Sequence, residues 1–478
     1  MSDIVNKLWG FCHSLRHDGI DYGDYIEQIT YLLFLKMADE RSVELPEGCD
    51  WKTLVVQSGT ELTDHYTNVL RKLSKEPGLL GDIFAEALSK FSKPVTLKHL
   101  IDLIDETEWT SLNVDVKAEA FEGLLEKAAS EGKKGAGQYF TPRILIQSIV
   151  RCMKPDPRKK PDFTICDPAC GTGGFLICSY EWLLGETGGA LERELAKRVK
   201  RGTYFGQDLV ARPRRLALMN LFLRNLEPEI RLGDTIYETW DGRAFDIVLT
   251  NPPFGSKGAN QKPGRDDFDV ETTNKQLNFL QHVKTILKPG GRAAIVLPDN
   301  ALFADEAGRV FDYLFQDCDV HTILRLPNGT FRPYANARTN VLFFTKGYPT
   351  ENVWIYDCRT NVPSVTKKER PLTSDHFTEF EKCFGSDPNG RSLRNHLDSK
   401  EDRWRLFHIS VVKEKNYKID SLKWLKEDSL DDVDSLSEPE ELVVDAIEDL
   451  RLAVDELKQI LVLLENGNGE SATVEGKQ

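Results

Sequence analysis

Between residues 163 and 345, short apolar segments alternate with longer amphipathic ones, and this alternation constrains the fold more than any other feature. Strands separated by helices predict a parallel, doubly wound α/β sheet covered on both faces. Ligands of such sheets bind at the carboxyl ends of the strands. The predicted strands are DFTIC (162–166), TYFGQ (203–207), FDIVLT (245–250), RAAIVLP (292–298), VHTILRL (320–326) and NVLFFT (340–345).

The first 130 residues carry a helical pattern instead. Apolar residues at helical spacing predict a helix near the amino terminus, and Asp24 and Glu27 have the spacing of a capping box. Similar spacing predicts helices over 82–91 and 116–129. The glycine- and lysine-rich stretch 131–137 interrupts the pattern and marks a hinge before the α/β region.

Beyond residue 400, a polar region leads into a strongly acidic segment. Residues 427–470 hold 15 acidic and 2 basic side chains, and since the whole chain has a formal charge of −14, the remaining residues sum to −1. Seven apolar residues in this segment form a heptad seam, which either a partner's helix or the chain's own surface would cover. They are Val443, Ile447, Leu450, Val454, Leu457, Leu461 and Leu464. The three predicted domains are residues 1–130, 131–400 and 401–478.

Composition narrows the class of protein. A nearly neutral body is not the basic signature of a self-sufficient nucleic-acid binder, so such a role would depend on a partner. The sequence contains no run of about 18 or more apolar residues, so no membrane-spanning helix is predicted. The amino terminus lacks the pattern of a signal peptide. The nine cysteines are dispersed, which indicates reduced thiols and a cytoplasmic protein.

The tetrapeptide Asn251-Pro252-Pro253-Phe254 directly follows the apolar run 245–250. The Asn251 side-chain oxygen and the Pro252 carbonyl can accept both protons of a planar amine such as that of adenine, and the prolines keep both acceptors aimed. Phe254 offers a ring on which an extruded base can stack. A plain strand-to-loop turn is the alternative, since Asn and Pro favour turns. The position after a central strand favours a catalytic role for all four residues.

The segment Asp167-Pro168-Ala169-Cys170-Gly171-Thr172-Gly173-Gly174 follows the first predicted strand. Its glycines allow a sharp turn and close approach to a ligand, but the pattern fits neither a dinucleotide fingerprint nor a phosphate loop. The leading acid suits a cation, and S-adenosylmethionine carries both a sulfonium and an ammonium. A tight turn without a ligand is the simpler alternative. Cys166 and Cys170 lack further ligands at zinc-like spacing, so no metal site is predicted. The predicted cofactor-binding residues here are Asp167, Gly171, Thr172, Gly173 and Gly174.

Three further features suit the same cofactor, although each alone is more simply a solvated acid or a helix cap. Asp208 ends the second predicted strand and is expected to bind ribose hydroxyls. Asp234 is expected to receive the amino group of the cofactor's adenine. Thr141 is predicted to be the N-cap of a helix and Pro142 its first residue. The positive end of that helix would hold the cofactor's carboxylate. The predicted cofactor-binding residues of this segment are Gln138, Tyr139, Phe140, Thr141, Pro142 and Arg143.

A polar, glycine-rich stretch covers residues 255–278. Loops of this length without structure of their own are usually functional or disordered. We predict that it becomes ordered over the extruded base or over DNA.

Taken together, these motifs resemble the modification subunit of type I restriction-modification systems. The resemblance covers most of residues 1–350 and includes the N-terminal stretch 18–40. The motifs that carry it are GAGQYFTPR (135–143), DPACGTGGFL (167–176), GQDL and RRLALMN (within 206–220), GDT (233–235), LTNPPFG (249–255) and LKPGGRAAIVLPDN (287–300). The resemblance implies a Rossmann-like S-adenosylmethionine-dependent methyltransferase domain, with S-adenosyl-L-methionine as cofactor. The implied activity is N6-methylation of a flipped-out adenine in double-stranded DNA.

The resemblance also implies partners and residue roles. Two modification subunits would join one specificity subunit that reads the DNA sequence, and a restriction subunit would complete some complexes. Gln138 to Arg143, Thr172 to Gly174 and Asp208 match cofactor contacts, while Asn251 to Phe254 match the catalytic turn. Two alternatives stay open, namely an amino-methyltransferase for RNA or protein glutamine, and a non-catalytic scaffold that binds the cofactor.

Overall fold

The structure is a computed structural model. It describes residues 22–40, 42–109, 141–222, 224–254, 262–303, 306–332, 335, 337–366, 369–394 and 403–425. Several predictions lie outside these residues: the helix over 116–129, the hinge at 131–137, the roles of Gln138, Tyr139 and Phe140, and the acidic heptad segment.

Five helices lie in the described residues before 110. They are α1 (Tyr22–Glu40), α2 (Trp51–Val55), α3 (Gly59–Leu73), α4 (Leu79–Phe84) and α5 (Pro94–Asp105). The predicted apolar face of α1 is buried, since Ile26, Ile29, Leu33 and Met37 are all at most 4% exposed. The helical prediction is therefore confirmed for this stretch.

The acidic residues of α1 do not form a capping box, so that prediction is wrong. Asp24 lies inside the helix, where its carboxylate accepts a hydrogen bond from Arg212 at 2.6 Å. Glu27, 9% exposed, forms an ion pair with Arg215, which is 5% exposed. Both acids are used to dock α1 on a later helix.

The helix predicted over 82–91 ends early, at Phe84. Glu86 has a left-handed backbone with φ of 57°, which a helix cannot continue through. The turn directs the Ala85 carbonyl towards Arg215, which donates a hydrogen bond to it, while Asp82 accepts one from Arg214 at 2.7 Å. A tertiary contact thus overrides the local helical pattern.

The rest of the described chain alternates strands and helices. The strands are β1 (Ile165–Asp167), β2 (Tyr204–Asp208), β3 (Glu229–Leu232), β4 (Phe245–Thr250), β5 (Leu287–Pro298), β6 (Cys318–Arg325), β7 (Thr339–Lys346), β8 (Asn352–Asp357) and β9 (Trp404–His408). The helices are α6 (Arg143–Met153), α7 (Gly174–Glu186), α8 (Arg193–Lys200), α9 (Ala211–Phe222), α10 (Lys275–Ile286), α11 (Asp299–Phe303), α12 (Ala307–Asp317), α13 (Asp375–Phe384) and α14 (Ile409–Glu414), with a 3₁₀ turn at Ile419–Ser421.

These strands form one sheet in the order β3-β2-β1-β4-β5-β7-β6-β8-β9. β7 runs antiparallel to β5 and β6, and β9 runs antiparallel to β8. The sheet is therefore mixed, and the prediction of a wholly parallel sheet is wrong. Residues 326–338 connect β6 to β7 and contain no described crossover helix. Antiparallel neighbours can be joined in this way, whereas parallel neighbours need a crossover connection. The strands β3, β8 and β9 were not predicted.

Helices cover both faces of the sheet, as predicted. One core joins the N-terminal helices and α6, α7, α9 and α13 to one face; the second joins α10, α12 and α14 to the other. Successive residues of β4 show the division, because Ile247 and Leu249 belong to the first core while Phe245 and Val248 belong to the second. Burial on both faces explains why this strand reads as a continuous apolar run.

The three predicted domains stay a prediction. Residues 404–408 extend the sheet as β9, and Arg212, Arg214 and Arg215 of α9 bind the N-terminal helices. Among the described residues, no helix combines the length and apolarity needed to cross a membrane.

Candidate active site

The glycine turn after β1 has two left-handed glycines. Gly171 and Gly173 have φ of 51° and 83°, a region that glycine adopts without steric cost. A Cβ on Gly171 would meet no described heavy atom within 4 Å, whereas a Cβ on Gly173 would lie 3.3 Å from the Ala217 Cβ. The backbone at Gly171 therefore faces open space, while Gly173 allows close packing on α9.

Asp208, at the carboxyl end of β2, closes this turn. Its carboxylate oxygens accept hydrogen bonds from the Gly171 and Val210 amides, each at 2.9 Å. Burial raises the pKa of Asp208, and these two backbone hydrogen bonds oppose the rise. Because β1 and β2 are parallel neighbours, the turn and the acid meet at one edge of the sheet.

Asp167 is the second acid at this edge and is 2% exposed. Burial raises its pKa to about 7, and the charge of Asp208 adds to the rise. Its carboxylate accepts a hydrogen bond from the Ala169 amide at 3.1 Å. Asp167 has no ion-pair partner among the described residues, whereas the charge of Lys275 acts on the half-buried Asp208 and opposes the rise in its pKa. A buried carboxylate without a cationic partner is costly, so Asp167 beside an open glycine turn fits a cationic ligand such as S-adenosylmethionine.

Asp234 follows β3, which pairs with β2. The backbone carbonyl of Asp208, at the end of β2, accepts a hydrogen bond from the Gly233 amide at 3.0 Å. One oxygen of Asp234 accepts hydrogen bonds from the Ile236 and Tyr237 amides at 2.9 and 3.1 Å. The side chain thus stabilises its own turn, and its expected contact with the cofactor stays a prediction.

Two apolar side chains that sequence reasoning missed stand exposed beside Asp208. Leu209 and Val210 are 56% and 43% exposed. Apolar groups in such a position offer a surface for the flat face of a nucleoside. An apolar pair directly after the acid that ends a strand was the available signal.

The turn after β4 presents a buried acceptor. The Asn251 Nδ2 donates a hydrogen bond to the Thr141 Oγ1 at 2.8 Å. Its Oδ1 is buried and finds no hydrogen-bond partner within the described part of the chain. The Pro253 carbonyl accepts a hydrogen bond from the Gln276 Nε2 at 3.3 Å, which helps hold the turn. The side-chain oxygen of Asn251 is therefore held in place, and its capacity to accept a hydrogen bond is unused among the described residues.

Thr141 does not cap a helix, so that prediction is wrong. Pro142 occupies the N-cap position and α6 begins at Arg143. The Thr141 hydroxyl serves Asn251 instead, and Arg143 forms an ion pair with Glu181 at 2.6 Å. The structure thus brings Thr141 into contact with the Asn251 turn.

Phe254, the last residue of the tetrapeptide, is 8% exposed. The ring of Phe331 meets it edge-on, with centroids 5.2 Å apart and planes at 84°. Such a contact fixes the orientation of the Phe254 ring. Sequence reasoning missed Phe331 because nothing in its local pattern indicates this partner.

The stretch predicted to become ordered on DNA is already fixed over much of its length. Arg265, 8% exposed, donates hydrogen bonds to the Thr235 and Glu238 carbonyls at 3.0 and 3.2 Å and pairs with Asp267 at 2.6 Å. The prediction is therefore wrong for residues 262–274, and residues 255–261 lie outside the description.

Cysteines and metal ligands add no further site. The eight described cysteines are buried and free, as expected for Cys166 and Cys170. Within the described ranges, no group of three or more His, Cys, Asp or Glu side chains could hold a metal ion.

The sheet, the glycine turn with its two acids and the Asn-Pro-Pro-Phe turn on the adjacent strand define a Rossmann-like, S-adenosylmethionine-dependent methyltransferase. The N-6 DNA methylase family matches residues 112–432, and the family described as HsdM N-terminal domain matches residues 4–45. The chain belongs to the N-6 DNA methylase family and, within it, to the methylase subunits of type I restriction enzymes. Its methyl donor is S-adenosylmethionine.

Individual relatives agree with this assignment. The chain is 38% identical to the type I restriction enzyme StySPI methylase subunit of Salmonella potsdam, over 98% of this chain and 96% of that one. It is also 38% identical to the EcoKI methylase subunit of Escherichia coli strain K12, over 96% and 95% of the two chains. The crystal structure of the EcoKI M protein aligns with 99% of this chain and 100% of that one, with 32% identity and a TM-score of 0.55. A putative type I modification subunit from Vibrio vulnificus YJ016 shares the fold, with a TM-score of 0.68 at 24% identity over 85% and 93% of the two chains.

Proposed function

We propose that the protein methylates the N6 amine of a flipped-out adenine in double-stranded DNA, as the modification subunit of a type I restriction-modification enzyme. The observation that carries this proposal is the buried, unpartnered Oδ1 of Asn251, held at the carboxyl end of β4 by the bond from its Nδ2 to Thr141. A fixed acceptor at that point suits a substrate that brings hydrogen-bond donors, as an exocyclic amine does.

The catalytic turn raises the low nucleophilicity of this amine. Its lone pair is delocalised into the adenine ring, so the nitrogen is a poor nucleophile. The Asn251 Oδ1 and the Pro252 carbonyl accept its two protons and favour a more tetrahedral nitrogen, an arrangement that stabilises the transition state because it is built in advance. The extruded base stacks on Phe254, whose ring Phe331 supports.

The cofactor residues follow the same edge of the sheet. When bound, S-adenosylmethionine supplies an activated methyl group on its sulfonium. Asp167 attracts the cationic part of the cofactor, and the Gly171–Gly174 backbone gives it room. Asp208 binds the ribose hydroxyls, and Asp234 lies towards the adenine. The backbone amides at the start of α6 and in the preceding residues from Gln138 onward receive the carboxylate, and the Arg143–Glu181 ion pair keeps that helix start in place.

Partner subunits complete the proposal. The nearly neutral body of the chain favours shared DNA binding, and the named relatives are methylase subunits of type I restriction enzymes. We place two copies of the chain with one specificity subunit that selects the DNA sequence, in the cytoplasm, and a restriction subunit joins where a system has one.

The test uses the chain copurified with its specificity subunit. Tritiated S-adenosylmethionine is supplied with DNA or RNA, and the product is digested to nucleosides. We expect label in N6-methyl-2′-deoxyadenosine from DNA and none in the nucleosides from RNA. The Asn251→Ala variant should lose at least about 100-fold in rate, the cost of removing one preorganised transition-state contact, and keep its cofactor Kd within about threefold. Asn68→Ala, on the exposed face of α3, is the matched control and should keep the rate. Label in RNA or in a protein side chain, or full activity of Asn251→Ala, would refute the proposal.

A further inference from the structure

One hydrogen bond joins two segments that lie 110 residues apart in the sequence. The Asn251 Nδ2 donates to the Thr141 Oγ1 at 2.8 Å. Thr141 precedes α6, on the side of the site expected to hold the cofactor, whereas Asn251 follows β4. The bond therefore connects the proposed cofactor side to the catalytic turn.

The orientation of the Asn251 carboxamide decides what it can do. A half-turn about χ2 exchanges its oxygen and nitrogen, and only the oxygen can accept protons from an amine. Nδ2 donates to Thr141, and Oδ1 points away from that hydroxyl and is buried without a partner among the described residues. Because a threonine hydroxyl can also donate, the bond fixes the place of the carboxamide, and an amine that brings only donors selects the orientation that presents Oδ1 to it. Donation by Nδ2 also polarises the amide and makes Oδ1 a better acceptor, since linked hydrogen bonds strengthen one another.

A chain of buried and partly buried contacts supports the segment that carries Thr141. Arg143 pairs with Glu181 at 2.6 Å, and Glu181 pairs with Arg224 at 3.1 Å. Arg224, 4% exposed, donates to the Asn220 Oδ1 at 2.9 Å, and the Asn220 Nδ2 donates to the Thr172 carbonyl in the glycine turn at 3.3 Å. The hydroxyl is thus held by the framework that also supports the glycine turn.

We propose that Thr141 is a positioning residue for methyl transfer: its hydroxyl holds the Asn251 carboxamide with Oδ1 turned towards the target amine. It acts through Asn251 and makes no contact with the reacting atoms. This inference rests on the proposed function.

The experiment compares Thr141→Val, which removes the hydroxyl but keeps the shape, with Thr141→Ser, which keeps the hydroxyl. Rates are measured with the specificity subunit at saturating DNA and S-adenosylmethionine, and cofactor Kd is measured separately. Thr141→Val should lower kcat by about 10- to 100-fold, because a poorly aimed acceptor loses transition-state stabilisation, with cofactor Kd changed by less than about threefold. Thr141→Ser should restore most of the rate.

A matched control separates positioning from damage to α6. Ser148, on the same helix, is fully buried, and its hydroxyl has no hydrogen-bond partner in the described chain. Ser148→Ala removes a hydroxyl from α6 without touching Asn251, and should keep the wild-type kcat. In an Asn251→Ala background, Thr141→Val should cause no further loss, as expected for two residues that act as one unit.

Four results would overturn the inference: an unchanged kcat in Thr141→Val, a loss that Thr141→Ser does not restore, an equal loss in Ser148→Ala, or a cofactor Kd that weakens as much as kcat falls. Failure of the proposed function looks different, because Asn251→Ala would then stay active or label would appear elsewhere than N6 of adenine. An inactive Asn251→Ala beside a fully active Thr141→Val would refute the positioning role alone.

Discussion

The Asp167→Asn variant tests whether a buried carboxylate attracts the cationic cofactor, since it keeps the shape of the side chain and removes its charge. Burial, with the charge of Asp208, raises the pKa of Asp167 from 3.8 to about 7. Below that pH the carboxyl is neutral, and above it the group is ionised. Binding of a cation favours the ionised form, so affinity for S-adenosylmethionine should rise with pH through about 7 and then level off.

The size of the effect follows from the titration. About one-tenth of the Asp167 carboxyls are ionised at pH 6 and about nine-tenths at pH 8, so affinity should be about tenfold weaker at pH 6, or about 1.4 kcal/mol. In the unliganded protein the same raised pKa favours folding at low pH, and that contribution is lost as pH rises from about 4 to 7. Cofactor binding therefore opposes the pH trend of the unliganded fold.

Isothermal titration calorimetry from pH 6 to 8, in two buffers of different ionisation enthalpy, measures both affinity and proton release. Asp167→Asn should bind weakly at pH 8 and lack the step in affinity. Asp162→Asn, on an exposed acid near the opposite end of β1, should retain the step. A change of less than about twofold in the wild type between pH 6 and 8, or an equal step in Asp167→Asn, would refute the reasoning.

Two further predictions concern stability and are measured by urea denaturation. Gly171→Ala should cost about 1–2 kcal/mol, because φ is 51° and an L-residue is strained there, whereas Gly185→Ala, on the exposed end of α7, should be neutral or stabilising by up to about 1 kcal/mol. An equal response of the two variants would contradict the backbone argument. Arg224→Met should cost about 1–3 kcal/mol because Asn220 loses a buried donor, while Glu181 keeps Arg143 as its partner; Lys382→Met, at a largely exposed ion pair, should change stability by less than about 0.5 kcal/mol. A cost for Arg224→Met below about 1 kcal/mol would show that the network does not stabilise the fold.

Sequence patterns predicted the strands that are buried on both faces. The bounds of β4 coincide with the predicted run 245–250, because all six of its residues are buried and four of them are apolar core residues. The edge strands β3 and β9 were not predicted, since their exposed positions carry residues such as Glu229 and His408 that break an apolar run. Strand direction could not be predicted from the pattern either, because the antiparallel strand β7 is as apolar as the parallel strands of the sheet.

For the candidate site, too, local sequence patterns predicted some features and not others. The glycine turn, Asp208 and Asn251 were located from sequence because a local motif follows a strand whose carboxyl end must face the ligand edge. The partners of these residues were not found. Thr141 was read as a helix cap because its local sequence suits one, yet its hydroxyl binds a side chain 110 residues away. Phe331 likewise has no local feature that indicates Phe254. Local motifs predict where a group lies, and only the fold shows what holds it.

Helix α9 has a consequence for chimeric enzymes. It begins three residues after Asp208, and its arginines bind the acids of the N-terminal helices. A recombinant in which residues 22–109 are exchanged for those of another methylase would graft foreign acids onto Arg212, Arg214 and Arg215. A mismatch there would displace α9, which follows Asp208. We therefore expect such a recombinant to bind the cofactor more weakly. Exchanges between such enzymes should therefore move α9 together with the N-terminal helices.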